Sequence, residues 1–278
     1  MTFTDRSLYF VLIGTCKCLR LKSHFNKKID QGVEMINFNS VKIISFDCYG
    51  TLIDWRAGII ESLTPVLKKH NIMLSEHDII NLYSSFEAAL QQSEYKEYKE
   101  ILYLIVNKFG QELNFKPDQE DKYSLINSLK KWKPFSDTIS SLKKLKRKYK
   151  LAILSNVDND LFSYTAELLQ IDIDLLITSQ DTKSYKPSLQ NFKHLLNLAN
   201  ISNKDEILHV AGSKYHDIIP ATELGLNTVF VNRYPGLTGL GIDSKIKASL
   251  EVADLTGLTE IACLSIERVQ EAELVLQL

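Results

Sequence analysis

Short apolar runs alternate with segments of helical period along most of the chain. Five runs, mostly of β-branched and other apolar residues, predict strands at 41–46, 151–154, Leu175–Thr178, Ile207–Ala211 and Asn227–Val231. The segments between the later runs carry apolar residues three or four positions apart, which is typical of amphipathic helices. This alternation predicts an α/β fold, a doubly wound parallel sheet of Rossmann-like type.

Four helical patterns in succession separate the first predicted strand from the second. They cover 55–70, a stretch that begins after Ser75, 95–113 and 118–132, and Ser75 with Asp78 resembles a capping box. We therefore predict a helical cap at 55–133, inserted after the first strand, and a core domain made of 35–54 and 134–278. The insertion either lies over the strand ends as a lid or packs as a further layer.

The two ends of the chain give different predictions. Residues 1–34 contain one short apolar run, 8–13, and then a basic stretch without periodicity. We expect a poorly ordered N-terminal extension that is not needed for folding of the domain that starts near Met35. The run is too short to span a bilayer and lacks the flanking signals of a secretory leader. The tail predicts one helix at 255–276.

Composition excludes several classes of function. The chain has 278 residues, 45% of them hydrophobic, and a formal net charge of -1, so nothing points to nucleic acid or an anionic membrane surface. Its four cysteines, Cys16, Cys18, Cys48 and Cys263, do not form a disulfide framework, and the CxC pair has no second ligand pair for a metal. We expect a cytoplasmic protein that acts on a small molecule, as a monomer or a homodimer.

Polar side chains stand where the predicted strands end. In chain order they are Asp47, Thr51, Ser155, Asn156, Lys186 and Asp217. Because the carboxyl ends of parallel strands share one sheet edge, we expect these side chains to lie close together. A carboxylate nucleophile needs a cation that keeps it ionised and donors that orient the substrate. A second carboxylate can position that cation or help to activate water.

Four motifs give the chain a resemblance to the haloacid dehalogenase superfamily, from about residue 41 to 264. They are FDCYGTL (46–52), LSN (154–156), KP (186–187) and HVAGSKYHD (209–217). The predicted helical cap matches the position of that family's cap. The nearest branch is the type II 2-haloacid dehalogenases, because Tyr49 stands where family phosphatases usually carry an Asp. Halide leaves without a proton from a general acid, so Tyr49 fits carbon–halogen displacement better than phosphoester cleavage.

The resemblance implies a mechanism and a set of roles. Asp47 would attack the halogen-bearing carbon and form an ester, and water would then hydrolyse that ester. Lys186 would offset negative charge, Thr51 and Ser155 would hold the carboxylates, and Asn156 would bind substrate. No metal or cofactor is implied for this branch.

The chain also departs from the family pattern. Family dehalogenases use a cap Arg to meet the halide, whereas Arg56 is the Arg nearest to the motif and no Arg falls in 75–132. Arg56 would have to take that place, or, less well, Lys96 or Lys99. Phe192 occupies the place of a family aromatic hydroxyl, and the residues at 211–212 replace a polar or acidic pair.

These departures leave two alternative functions open. One is a magnesium-dependent phosphatase of the same superfamily, in which Asp47 and Asp217 would hold Mg²⁺. The other is a non-catalytic binding protein on this scaffold, since a fold does not fix a function. Tyr49, Asn156 and Arg56 are the residues that we expect to bind the substrate.

Overall fold

A six-stranded, entirely parallel sheet carries the predicted strand ends. The computed structural model describes residues 36–235 and 246–263. The strands are β1 (Ile43–Phe46), β2 (Lys150–Ser155), β3 (Leu175–Thr178), β4 (Ile207–Ala211), β5 (Asn227–Val231) and β6 (Leu250–Val252). Their order is β3-β2-β1-β4-β5-β6, with every neighbouring pair parallel. The predicted α/β fold is confirmed.

Strand β1 lies in the interior of the sheet and pairs with β2 on one side and β4 on the other. Phe46 is in register with Ile153 and with Val210. Ile44 and Phe46 are fully buried, as expected for a strand that is covered on both faces. The chain moves from β1 to β2 and β3 in one direction and returns to β4 on the other side. The crevice at the carboxyl ends of β1 and β4 is therefore the place where such sheets bind ligands.

Helices pack against the sheet and also form the insertion after β1. They are α1 (Trp55–Lys69), α2 (Glu76–Gln91), α3 (Tyr98–Glu112), α4 (Gln119–Leu129), α5 (Thr138–Lys146), α6 (Asn159–Leu169), α7 (Ser179–Thr182), α8 (Leu189–Ala199) and α9 (Ile219–Glu223). A π-helical turn, Lys214–Ile218, leads into α9. Helices α1–α4, here called the helical insertion, fall between β1 and β2 as predicted. The division of the chain into a core domain and a cap stays a prediction.

The structure corrects three details of the predicted elements. The third helix begins at Tyr98 rather than at 95, the predicted loop after β3 contains the single-turn helix α7, and β6 was not predicted. Elements as short as α7 and β6 contain too few residues for a periodic pattern to show. Residues 255–263 are helical, as predicted for the tail. The predictions for 1–34 and for 264–276 fall outside the described residues.

Within 36–235 and 246–263, every helix is too short or too polar to cross a bilayer.

The late start of α3 has a tertiary cause. Glu97, just before the helix, is extended, and its side chain makes no capping hydrogen bond. The carboxylate of Asp158, in the loop after β2, accepts from the backbone N–H groups of Tyr98 and Lys99, both at 2.9 Å. Asp158 is fully buried, so it ties the helical insertion to the carboxyl edge of the sheet.

We expect Asp158→Ala to destabilise the fold by about 1–2 kcal/mol, because it removes a helix cap from one buried and one half-buried N–H group. Urea unfolding measures the loss. The matched control is Asp160→Ala, since Asp160 makes only an exposed ion pair with Lys99 on the described part of the chain, and such pairs contribute about 0–1 kcal/mol. Equal losses in both variants would contradict the capping role of Asp158.

Candidate active site

The loop after β1 places a carboxylate at the sheet edge. Asp47 follows β1 directly, and its backbone N–H donates to the Val210 carbonyl of β4 at 3.1 Å. The Thr51 hydroxyl donates to Asp47 Oδ2 at 2.7 Å and accepts from the Gly212 N–H at 2.8 Å. Gly50 has a φ of +97°, which a residue with a Cβ rarely adopts. This turn brings Thr51 back to face Asp47.

Gly212, the second residue of the pair at 211–212, has a packing reason. A Cβ on Gly212 would lie 2.5 Å from the carbonyl oxygen of Gly50. The loops after β1 and β4 therefore approach too closely for a larger residue at position 212. This departure from the family pattern follows from the contact between the two loops.

Lys186 joins two carboxylates. Its Nζ donates to Asp47 Oδ1 at 2.8 Å, to Asp217 Oδ1 at 2.7 Å and to the Leu154 carbonyl at 2.8 Å. All three ammonium hydrogens are thus used. The side chain is only 2% exposed, so the cluster lies out of bulk water.

Asn156 fixes the backbone of Lys186. Its Oδ1 accepts from the Lys186 N–H at 2.8 Å, and its Nδ2 donates to the Lys186 carbonyl at 3.1 Å. The side chain also lines the cavity above Asp47. Here it acts on the position of the lysine, and its contact with substrate stays a prediction.

Asp217 is held through one of its two oxygens. Oδ1 accepts from Lys186 and lies 3.1 Å from His209 Nε2, and His209 Nδ1 lies 2.9 Å from the Ser45 hydroxyl. Oδ2 is buried and has no hydrogen-bond partner among the described residues, and the same is true of Ser155 Oγ. Buried polar atoms without partners are rare. These two atoms are therefore natural contacts for a substrate or for water.

The three charged groups shift one another's pKa values. Burial raises the pKa of Asp47; Lys186 opposes this rise and Asp217 adds to it. Burial also acts on Asp217, but Lys186 and His209 outweigh it and hold the pKa of Asp217 below its ordinary value. Burial disfavours the charged form of Lys186, yet the two carboxylates raise its pKa. Asp47 is thus a more basic and less solvated carboxylate than an exposed Asp.

Tyr49 is placed beside the cluster with its hydroxyl engaged. The hydroxyl lies 2.8 Å from Thr165 Oγ1, and the ring makes an edge contact with Trp132. Burial raises the pKa of Tyr49 well above its ordinary value. The side chain is therefore a poor proton donor at neutral pH.

A cavity of about 760 Å³ opens above Asp47, Lys186 and Asp217. Helices α1–α3 of the insertion line one part of it, and the loops after β4 and β5 line another. Its volume equals roughly 25 water molecules at ~30 Å³ each, and it lies within the usual range for small-molecule sites. The cavity is far larger than a three-carbon haloacid.

Four cationic side chains of the described residues line this cavity, and Lys186 is one of them. The Arg56 guanidinium lies 5.1 Å from the centre of the Tyr234 ring. Arg233 pairs with Asp137 at 2.8 Å and donates to the Thr51 carbonyl. The exposed Lys214 lies over the Phe230 ring at 4.8 Å.

Lys96 and Lys99, the predicted substitutes for a cap Arg, do not line the cavity. Lys99 donates instead to Asp160 on the surface.

Two residues of the site were missed by the sequence analysis. His209 showed only as one polar residue inside the apolar run Ile207–Ala211. Glu87, which lines the cavity from α2, showed only as one acidic residue in an amphipathic helix. Neither signal distinguishes a site residue from an ordinary one. Across the described ranges, no group of three or more His, Cys, Asp or Glu is arranged to hold a metal ion.

Solved structures of similar fold include several dehalogenases. One L-2-haloacid dehalogenase matches with a TM-score of 0.68 and 22% identity, over 81% of this chain and 99% of that chain. Another match is the L-2-haloacid dehalogenase from Xanthobacter autotrophicus with chloropropionic acid covalently bound. Its TM-score is 0.67 and its identity 16%, over 80% of this chain and 98% of that chain. The putative HAD-hydrolase YfnB from Bacillus subtilis, bound to magnesium, matches with a TM-score of 0.66 and 18% identity, over 80% of this chain and 98% of that chain. No curated protein matches this chain significantly.

The parallel sheet, the helical insertion and the charged cluster at the strand ends together define the class of this protein. Its fold is that of the L-2-haloacid dehalogenase structures. The model of the haloacid dehalogenase-like hydrolase family matches residues 44–231, which is more than half of the chain. The chain belongs to this family.

Proposed function

We propose that this hydrolase breaks a carbon–halogen bond through an ester of Asp47. An oxygen of the Asp47 carboxylate attacks the carbon that carries the halogen. The new carbon–oxygen bond forms as the carbon–halogen bond breaks, and the halide departs with the bonding electrons. Water then attacks the carboxyl carbon of the ester, and the alcohol product is released. Asp47 is left as a carboxylic acid that returns its proton to solvent.

The neighbouring groups suit these two steps. Oδ2 of Asp217 has no hydrogen-bond partner in the described part of the chain, so its lone pairs are available to accept a proton from the attacking water. Lys186 contacts both carboxylates, and it would limit the negative charge that builds up on the ester carbonyl. Thr51 fixes Asp47 Oδ2 and leaves the nucleophile in one orientation.

The observation that carries the proposal is that the Tyr49 hydroxyl is a poor proton donor. The hydroxyl is engaged with Thr165, and burial raises the pKa of Tyr49 well above the ordinary value. An alkoxide leaving group needs a proton from a general acid, whereas a halide does not. A tyrosine in this state two positions after the nucleophile favours a leaving group that departs without a proton.

We predict that a single turnover in oxygen-18 water labels Asp47 and not the alcohol, because water attacks the carboxyl carbon of the ester. The protein is used in excess over 2-bromopropionate or 2-bromopropionamide. Mass spectrometry of the peptide with Asp47 and of the product locates the label. Label in the alcohol would show direct attack by water. No halide release from either compound would favour the non-catalytic alternative.

We further expect weak turnover of 2-chloropropionate, because no Arg of α2–α4 is present to meet the leaving halide. Losing one such donor typically costs roughly 10²–10³ in rate. Steady-state chloride release from the purified protein should give kcat/KM below roughly 10⁴ M⁻¹ s⁻¹, the low end for ordinary enzymes. A higher value would identify an efficient haloacid dehalogenase, and Arg56→Ala would then test whether Arg56 replaces the cap Arg.

A magnesium-dependent phosphatase is the second candidate, and Oδ2 of Asp217, which no described residue hydrogen-bonds, favours it. Mg²⁺ prefers carboxylate oxygens, so Asp47 and Asp217 are the residues that would hold it. When bound, the ion would neutralise charge on the phosphoryl group. Hydrolysis of phosphate esters only when Mg²⁺ is added, without halide release from haloacids or haloamides, would support this candidate over the first.

A further inference from the structure

A carboxyl group of the helical insertion lines the same cavity as Asp47. It belongs to Glu87 on α2. Its Oε1 accepts from the Tyr98 hydroxyl at 2.6 Å and from the Tyr83 hydroxyl at 3.2 Å, and the two hydroxyls lie 2.9 Å apart. Its Oε2 receives no hydrogen bond from any residue in the described ranges. The two buried tyrosines thus hold one oxygen of Glu87 and leave the other for a ligand.

Two hydroxyls donate to Oε1 of Glu87, and donated hydrogen bonds favour the ionised form of a carboxyl group. The 2.6 Å contact with Tyr98 falls in the range of hydrogen bonds from a hydroxyl to a carboxylate, which are shorter than those between neutral groups. Burial raises the pKa of Glu87, and the hydrogen bonds from Tyr98 and Tyr83 oppose that rise. The negative charge of Asp47 adds to the rise, so the two carboxylates interact across the cavity.

Among the described residues, Asp47 and Asp217 share Lys186, whereas Glu87 makes no ion pair. Asp47, Asp217 and Glu87 line the cavity with Lys186 as the cation among them. The other cations that line it are engaged elsewhere: Arg56 with Tyr234, Arg233 with Asp137, and Lys214 with Phe230 at an exposed position. In the described structure, helices α2–α4 contribute no Lys or Arg to the cavity lining.

We propose that Glu87 selects substrates whose polar group donates a hydrogen bond, and disfavours substrates that carry a carboxylate. This inference rests on the proposed function and names its substrate class as neutral haloamides and related hydrogen-bond donors. The free Oε2 can accept from an amide N–H. A carboxylate in that place has no hydrogen to share and meets a like charge, which is strongly unfavourable away from bulk water.

The preference for an amide over a carboxylate can be tested without catalysis. The test measures how tightly unreactive analogues bind to the wild-type protein. Isobutyramide and isobutyrate have a methyl group in place of the halogen and differ from each other only in the amide and the carboxylate. Titrations followed by ligand-observed NMR should show the amide binding at least about ten-fold tighter, since a ten-fold difference is small for a like-charge contact. Equal binding, or tighter binding of isobutyrate, would overturn the proposal.

The variant Glu87→Gln tests whether Glu87 itself causes the preference. Gln keeps the size and an oxygen that accepts from Tyr98, and it can donate to a carboxylate. The ratio of kcat/KM for 2-bromopropionamide to that for 2-bromopropionate should fall by about ten-fold or more. Glu112→Gln is the matched control, because Glu112 is an exposed acid of the same insertion that does not line the cavity. Its ratio should equal that of the wild type.

The outcomes separate this inference from the proposed function. Bromide release without a preference, or a preference that Glu87→Gln leaves intact, would overturn the role of Glu87 and leave the hydrolytic function standing. Tighter amide binding together with a complete lack of bromide release would contradict the proposed function and still support selection by Glu87.

Discussion

Asp47→Asn is expected to abolish hydrolysis while the fold stays intact. The proposed ester forms on this one carboxylate, and an amide is a far weaker nucleophile. Removing the nucleophile of an enzyme that works through a covalent intermediate lowers kcat by roughly 10⁴-fold or more. The fold should survive because Asn can still accept from Lys186 and keeps the size of the side chain. Halide release, or phosphate release under the second candidate, measures the effect.

The control is Asp172→Asn, since Asp172 is exposed and lies away from the cavity. Intact-protein mass spectrometry must accompany the assay, because deamidation of the new Asn would restore Asp. If more than about one per cent of the activity remained in protein that is free of deamidation, far above the loss expected for a missing nucleophile, Asp47 would be removed from this role.

Lys186→Met is expected to destabilise the protein and to eliminate activity. Lys186 separates two buried carboxylates and donates to both. Removing one partner of a buried ion pair typically costs about 3–5 kcal/mol, because a charge is left without compensation. Here two carboxylates would face each other. Urea unfolding at neutral pH gives the loss of free energy, and melting temperature gives an independent measure.

The stability of Lys186→Met should depend on pH if it is lowered by two uncompensated carboxylates. A loss of packing alone would not depend on pH. In the wild type Lys186 holds the pKa of Asp217 below its ordinary value. Without Lys186, burial and the facing carboxylate raise the folded-state pKa values of Asp47 and Asp217 above their unfolded values. Groups shifted in this direction contribute stability that is fully present below the unfolded pKa and is lost as pH rises through the folded pKa.

The deficit of Lys186→Met relative to the wild type should therefore be large at neutral pH and shrink toward about pH 4, the ordinary carboxyl range. Adding Asp217→Asn should recover part of the stability at neutral pH, because one of the two facing charges is then gone. A deficit that is independent of pH and unchanged in the double variant would show that only packing was lost.

The sequence alone determined five of the six strands of the described structure and the residues at their ends. The predicted bounds of β3, β4 and β5 equal the observed ones. Strands of a parallel sheet are buried on both faces and stand out as short apolar runs, so their ends are marked by the first polar residues. Asp47, Lys186 and Asp217 follow such runs in chain order. Parallel pairing then brings them to one edge without further information.

The tertiary structure alone decided how these residues are connected. Asp158 caps a helix that lies 60 residues earlier in the chain, and it thereby sets where α3 begins. His209 shares Asp217 Oδ1 with Lys186, and Oδ2 has no partner among the residues that the structure describes. Neither contact leaves a trace in local composition.

The sequence also could not show which contacts Glu87 and Arg56 of the helical insertion make in the folded protein. The helical period of α2 predicts that Glu87 lies on a helix, but not that Tyr98 from α3 holds its carboxylate in the cavity that Asp47 also lines. The sequence likewise showed that 75–132 contains no Arg, but not that Arg56 stacks on Tyr234 from beyond β5. Periodicity and turn signals reflect interactions within a few residues. The angle at which one helix crosses another depends on side-chain packing between distant segments, and that packing decides which polar groups meet across the cavity.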